Sequence, residues 1–241
     1  VSGPGADAPV RVVRIGRPAK RNAVDSATAE RLLAEFLDFE RRADQRVAVL
    51  TGDERAFCAG ADLTDLPRLR PTGPLGPTRL ALSKPVIAAI EGWCVAGGLE
   101  LALWCDLRVC GASARFGCLE RRWGVPLIDG GTWRLPRVVG LGRALDLILT
   151  GREVDAAEAL AMGLVNRVVP DGTALDAAVA MAGEIAAHPW ACVVADRASV
   201  YDGLGRPQAE ALEREDRRGR EVIAAPDFAA GVARFRERPR H

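Results

Sequence analysis

The sequence predicts a layered α/β fold with a helical C-terminal part, and three observations predict it. Short, largely apolar runs at residues 10–15, 47–51, 85–90 and 107–110 read as buried strands. Helical patterns alternate with these runs as far as Thr132. Beyond Thr132 helical patterns follow one another, interrupted by a single strand-like piece at residues 164–169.

The strand at residues 10–15 leads into a basic loop, Arg17-Pro18-Ala19-Lys20-Arg21-Asn22. Asp25 or Ser26 caps a helix to about Arg42, with Leu32, Leu33, Phe36, Leu37 and Phe39 as its apolar positions. The strand at 47–51 ends at Gly52-Asp53. Residues 57–62 form a loop, followed by a brief helix to about Leu66. Residues 67–77, rich in Pro, Gly and Arg, read as a mobile connection. A strand at 85–90, a helix at 97–104 and a strand at 107–110 come next. Helices are then expected at 132–139, 143–150, 155–161, 173–187, 190–201, 207–225 and 227–236. There is no evident internal repeat and no low-complexity tract. The expected organisation is a flexible N-terminus (1–9), a core (10–185) and a C-terminal helical region (186–241).

The 241 residues, about half of them apolar, suffice for one large domain with a sizeable core. Lys+Arg (33) and Asp+Glu (32) nearly cancel, which argues against a general nucleic-acid binder. No run reaches the roughly 18 apolar residues of a membrane span. The first nine residues show no basic segment followed by an apolar one, so no secretory signal is read. The six cysteines form no C-x-x-C pair and mostly sit in apolar runs, so buried, reduced thiols in a cytoplasmic protein are expected. His188 and His241 lack the neighbours that a metal site or a Ser-His triad needs.

Residues 84–134 carry the chemistry. In Gly97-Gly98-Leu99-Glu100, a glycine pair opens an apolar helix. First-turn N–H groups there lack intrahelical partners, and the helix dipole adds partial positive charge. Upstream, Phe57-Cys58-Ala59-Gly60-Ala61-Asp62 offers a second loop of small residues. Two N–H groups from separate loops are able to polarise one thioester carbonyl. Each loop taken alone reads equally as a turn or a point of close helix packing. Glu100 lies in an otherwise apolar helix, and Glu120 follows Phe116-Gly117-Cys118-Leu119. Two carboxylates facing such a donor pair would suit water addition, one accepting a proton and the other donating. Alternatively each is half of an ion pair, with Arg121, Arg122 or Arg134 as partner.

These residues resemble the enoyl-CoA hydratase/isomerase (crotonase) family. The resemblance rests on residues 57–63 and 84–90, on Gly97-Gly98-Leu99-Glu100-Leu101-Ala102, and on Phe116-Gly117. It extends to residues 17–23 and to the stretch from Thr150-Gly151 through Gly163-Leu164-Val165. It covers about residues 10–170 in order and spacing. It implies a spiral of ββα units, with C-terminal helices that assemble a homotrimer or a dimer of trimers. It implies an oxyanion hole from the N–H groups of Ala61 and Gly97, and catalytic roles for Glu100 and Glu120. The reaction implied is syn addition of water to a trans-2-enoyl-CoA, giving a 3-hydroxyacyl-CoA. Coenzyme A enters only as part of the substrate, with no metal and no separate cofactor. Lys20 and Arg21 would meet its phosphates, Ala59, Asp62 and Leu63 would border it, and Phe235 and Arg238 would reach it from the same or a neighbouring subunit. For each of these, surface charge or packing is the alternative reading.

The sequence departs from the family at Pro126-Leu127-Ile128-Asp129-Gly130-Gly131-Thr132, where a stretch of small residues is usual. Asp129 reads either as a third acid at the acyl pocket or as a helix N-cap. The segment between Asp62 and Lys84 is short and proline-rich for the family. A double-bond isomerase using Asp129 or Glu120 is therefore the alternative enzyme, and a non-catalytic acyl-CoA-binding protein the alternative of another class.

Overall fold

The structure, a computed structural model, describes residues 9–237. The flexible segment expected at residues 1–9 lies outside this span except for Pro9, and Arg238 lies outside it too. The chain begins with β1 (Val10–Arg14), α1 (Ser26–Arg41), β2 (Val47–Thr51), β3 (Ala56–Cys58), β4 (Val86–Ile90) and β5 (Trp93–Val95). It continues through α2 (Gly97–Trp104), β6 (Leu107–Gly111), β7 (Arg115–Gly117), α3 (Gly131–Val139), α4 (Leu141–Thr150), β8 (Val154–Asp155), α5 (Ala156–Ala161) and β9 (Arg167–Val169). Four helices close it: α6 (Ala174–Ala187), α7 (Trp190–Gly203), α8 (Gln208–Ile223) and α9 (Pro226–Arg236). Short 3-10 turns stand at Pro18–Lys20 and Leu119–Trp123.

The strands form two sheets, β1-β2-β4-β6-β9 and β3-β5-β7-β8. Every pairing is parallel except that of β7 with β8. Successive pairs β2/β3, β4/β5 and β6/β7 each place one strand in each sheet, and helices follow the second and third pairs. This is a spiral of ββα units. The larger sheet is covered on both faces at its centre, which is why β2 and β4 are buried along their whole length. Ala48, Leu50, Ala88 and Ile90 face the main core with Leu32 and Phe36 of α1. Their neighbours Val47, Val49, Ile87 and Ala89 face Ala178, Met181 and Ala182 of α6.

Most expected elements form, with shifts of a residue or two at their ends. Asp25 is the cap of α1, accepting from the Thr28 N–H at 2.7 Å. Leu32, Phe36 and Phe39 are buried, whereas Leu37 is exposed. The helix expected after Asp62 is absent. The Asp62 carboxylate accepts from the Thr64 N–H (3.0 Å) and hydroxyl (2.6 Å), a local turn that competes with helix formation. The connection expected to be mobile ends in a buried stretch, residues 73–78, fastened from across the fold. The strands β3, β5, β7 and β8, of three residues or fewer, are too short to show a period in sequence.

α7 is tied to the core by Asp106, which accepts from Arg197 (2.9 Å) and from the Tyr201 hydroxyl (2.6 Å). No residue of α7, α8 or α9 is buried. Among the described residues no single helix is long and apolar enough to cross a membrane.

A close helix–strand approach sets a testable limit. A Cβ on Gly98 of α2 would lie 2.1 Å from the Cys58 carbonyl oxygen of β3, a backbone atom that moves only with its sheet. Gly98→Ala is expected to destabilise the protein by about 1–3 kcal/mol, read from chemical denaturation midpoints.

Candidate active site

Two loops converge where β3 and β5 end. The loop after β3 is held to the N-terminal basic loop. Val24 donates to the Gly60 carbonyl and Asp62 donates to that of Val24, each at 2.8 Å, while Ala59 donates to the Arg21 carbonyl at 3.1 Å. After β5, Ala96 adopts φ 53° and ψ −131°, a conformation costly for a residue with a Cβ, and turns the chain sharply into α2. Gly60, at φ +98°, lets the two loops touch. A Cβ on it would lie 2.9 Å from the Gly97 nitrogen. A Cβ on Gly97 would in turn lie 3.6 Å from the Ala61 nitrogen. Among the described residues, neither the Ala61 nor the Gly97 N–H donates to a protein acceptor. Two unspent main-chain donors thus stand side by side, one at a helix N-terminus.

Glu100, on the first turn of α2, is buried. Its Oε1 accepts from the N–H groups of Asp129 (2.9 Å) and Gly131 (2.7 Å) at the start of α3. The approach is so close that a Cβ on Gly131 would lie 2.9 Å from Oε1. Burial pushes the Glu100 carboxyl up to about 7; the two N–H groups oppose this, and the charges of Asp129 and Glu120 add to it. Glu120, in the 3-10 turn, is buried as well, and neither of its carboxylate oxygens has a hydrogen-bond partner among the described residues. Burial raises its carboxyl too. Both carboxylates contribute to raising the Cys118 thiol, which places them on a common neighbour.

The ion-pair alternative fails for both glutamates. Arg121 donates to the Ile148 carbonyl, Arg122 to the Gly151 carbonyl and Glu153, and Arg134 to the carbonyls of Asp129 and Thr78. Asp129 is not the N-cap of α3. That position is Gly130, and the Asp129 carboxylate instead accepts from the Leu75 N–H (3.1 Å) and the Thr78 hydroxyl. The composition of residues 67–77 suggests a loose connection and does not reveal that Leu75 and Thr78 bind a partner 54 and 51 residues away.

Of the residues expected to meet coenzyme A, Lys20, Arg21 and Leu63 are exposed and Ala59 is half-buried beside them. Lys20 stands near enough to Asp62 to help hold its carboxyl low. The Asp62 side chain itself is committed: it binds Thr64 and pairs with Arg17 at 2.9 Å. Its partners, Thr64 foremost, keep it well below the usual carboxylate range. Arg17, also paired with Asp25 at 3.0 Å, is a clamp that the motif reading did not single out. Phe235 is exposed on α9. All six cysteines are free, five buried and Cys192 half-buried. Burial pushes the thiols of Cys58, Cys110 and Cys118 up to about 12, so none is a nucleophile near neutrality. Two surface grooves, of about 1130 and 1260 Å³, lie apart from Glu100 and Glu120, one beside α7 and α8 and one along β1.

A carboxylate with a raised pKa favours the folded state most below about pH 4.5, and that advantage is lost as pH rises through about 7. Glu100→Gln keeps an oxygen for the two N–H groups and never ionises. It is expected to stabilise the protein at pH 8 by up to about 3 kcal/mol while changing little at pH 4, measured by thermal unfolding at both pH values.

Comparison with known proteins places the chain in a family. The family model described as Enoyl-CoA hydratase/isomerase matches residues 5–241. The chain is 36% identical to enoyl-CoA hydratase EchA19 of Mycobacterium tuberculosis, over 94% of this chain and 90% of that protein. It is 37% identical to mevalonyl-coenzyme A hydratase SIDH of Beauveria bassiana, over 80% of this chain and 76% of that one. The crystal structure of an enoyl-CoA hydratase from Mycobacterium tuberculosis superposes with a TM-score of 0.91 at 35% identity, covering 97% of this chain and 95% of the other. With its ββα spiral and its paired N–H donors, the chain belongs to the enoyl-CoA hydratase/isomerase family.

Proposed function

We propose that the protein is an enoyl-CoA hydratase that adds water syn across the double bond of a trans-2-enoyl-CoA, giving a 3-hydroxyacyl-CoA. The observation that carries this reading is a pair of buried glutamates around Cys118, neither in a salt bridge among the described residues, with Glu100 on the helix turn that begins at the unspent Gly97 N–H. The thioester oxygen accepts from Ala61 and Gly97, which stabilise the enolate charge that develops on it. Glu100, fixed through Oε1 and with a pKa near working pH, takes the proton from water as its oxygen attacks Cβ. Glu120, its carboxyl raised by burial and its oxygens without a hydrogen-bond partner among the described residues, gives its proton to Cα. The oxygen–carbon and hydrogen–carbon bonds form on one face, and the proton that Glu100 gains replaces the one that Glu120 loses. The names of the matched relatives, hydratases acting on CoA thioesters, support the same assignment.

Coenzyme A would run along the N-terminal basic loop, its phosphates near Lys20 and Arg21 and its chain over Ala59 and Leu63. Phe235 stands ready to contact it from α9. Asp62 supports this surface as a structural clamp. An isomerase using Asp129 would need that acid free to reach the acyl chain, and one Asp129 oxygen is already held by Thr78 and Leu75. Helices α7–α9 carry exposed Val200, Tyr201, Leu212, Ile223 and Phe228, which supports burial of these helices in a homotrimer.

With crotonyl-CoA, loss of the conjugated-thioester absorbance is expected for the wild type. Glu120→Gln should lower kcat by about 10²-fold or more while acyl-CoA affinity stays within a few-fold. An unreactive wild type, or a Glu120→Gln variant of near-normal kcat, would refute the reading. Sedimentation equilibrium is expected to give a multiple of three chains.

A further inference from the structure

Asp129 is a buried carboxylate that the chemistry above does not use, and it joins three parts of the molecule. Its Oδ1 accepts from the Leu75 N–H at 3.1 Å and from the Thr78 hydroxyl. Its N–H holds Glu100 at 2.9 Å. Its carbonyl accepts from Arg134 at 2.9 Å, and the other terminal nitrogen of Arg134 donates to the Thr78 carbonyl at 2.5 Å. The ring Asp129–Thr78–Arg134 is thereby closed by hydrogen bonds on every side.

The ring has two faces. Toward the paired N–H groups it presents Leu75, which is almost fully buried. A Cβ on Gly97 would lie 2.6 Å from Leu75 Cδ1, so this side chain stands directly beside the Gly97 donor. On its other face, Arg134 lines the groove of about 1130 Å³ bounded by α2, α3, α7 and α8, with Leu80, Trp133 and Val138. The ring is therefore a partition between the carbonyl end of the candidate site and an apolar groove large enough for a hydrocarbon chain. A carboxyl oxygen suits its centre, because both groups that reach it, the Leu75 N–H and the Thr78 hydroxyl, are donors.

We propose that Asp129 is a positioning residue that sets acyl specificity. It pins Leu75 and Thr78 into a wall that stops the acyl chain short of the groove and so restricts the protein to short-chain acyl-CoA thioesters. The inference rests on the acyl-thioester reading of the site. Without the wall, a longer chain should bind more tightly, since each added methylene gains hydrophobic burial in the groove.

The test pairs calorimetric binding of butyryl-CoA and decanoyl-CoA with turnover of crotonyl-CoA and trans-2-decenoyl-CoA. The wild type is expected to bind butyryl-CoA about tenfold or more tightly than decanoyl-CoA. Asp129→Asn should keep that ratio, because an amide oxygen accepts the same two hydrogen bonds. Asp129→Ala and, independently, Thr78→Val should bring the two affinities within about threefold of each other, with a lower KM for trans-2-decenoyl-CoA. Three results would overturn the proposal. One is decanoyl-CoA bound by the wild type as tightly as butyryl-CoA. Another is a ratio unmoved in both Asp129→Ala and Thr78→Val. The third is an Asp129→Asn variant as inactive as Glu120→Gln, which would make Asp129 a proton-transfer group. Failure of the hydratase reading alone looks different: the binding ratios behave as described, yet no enoyl thioester loses its absorbance.

Discussion

A carboxylate held almost out of water by two main-chain N–H groups is the constraint on which the rest of this structure turns. Glu100 sits on the first turn of α2, and its Oε1 is gripped from the start of α3. Desolvation works against its charge, and among the described residues no cation forms a salt bridge with it. The fold tolerates this cost because the same contact fixes where α3 begins and how it lies on α2. Gly131 is part of the arrangement, since the carboxylate occupies the space where its side chain would be.

The spiral explains why such a group meets the donor loops at all. Parallel strands end on the same side of a sheet, so β3, β5 and β7 deliver their following segments to one edge. The loop after β3 brings Ala61, the turn after β5 brings Gly97 and Glu100, and the turn after β7 brings Glu120. Residues 20 to 59 positions apart are thereby neighbours by topology. The fit is then tightened by glycine, at Gly60 between the loops and at Gly98 between helix and strand.

Much of this was legible in the chain. The strands of the larger sheet announced themselves as apolar runs because α6 and the main core cover both faces. α1 announced itself through Asp25, and the family motifs pointed to Ala61, Gly97, Glu100 and Glu120. What stayed hidden depends on contacts distant in sequence. The smaller sheet is built from strands too short to carry a pattern. Asp129 looked like a cap because it precedes a helix, yet its partners Leu75 and Thr78 lie in a stretch whose composition suggests looseness. Asp62 looked like a ligand contact because it stands in the motif, whereas its oxygens are occupied by Thr64 and Arg17. Composition reports what a segment is made of, and only the fold reports what it is tied to.

The burial of the cysteines has a consequence for how the protein meets its chemical surroundings. With thiols that stay protonated far above neutrality, the interior offers mild electrophiles little to react with. An α,β-unsaturated thioester is itself such an electrophile. The five buried thiols are therefore poor targets for such reagents.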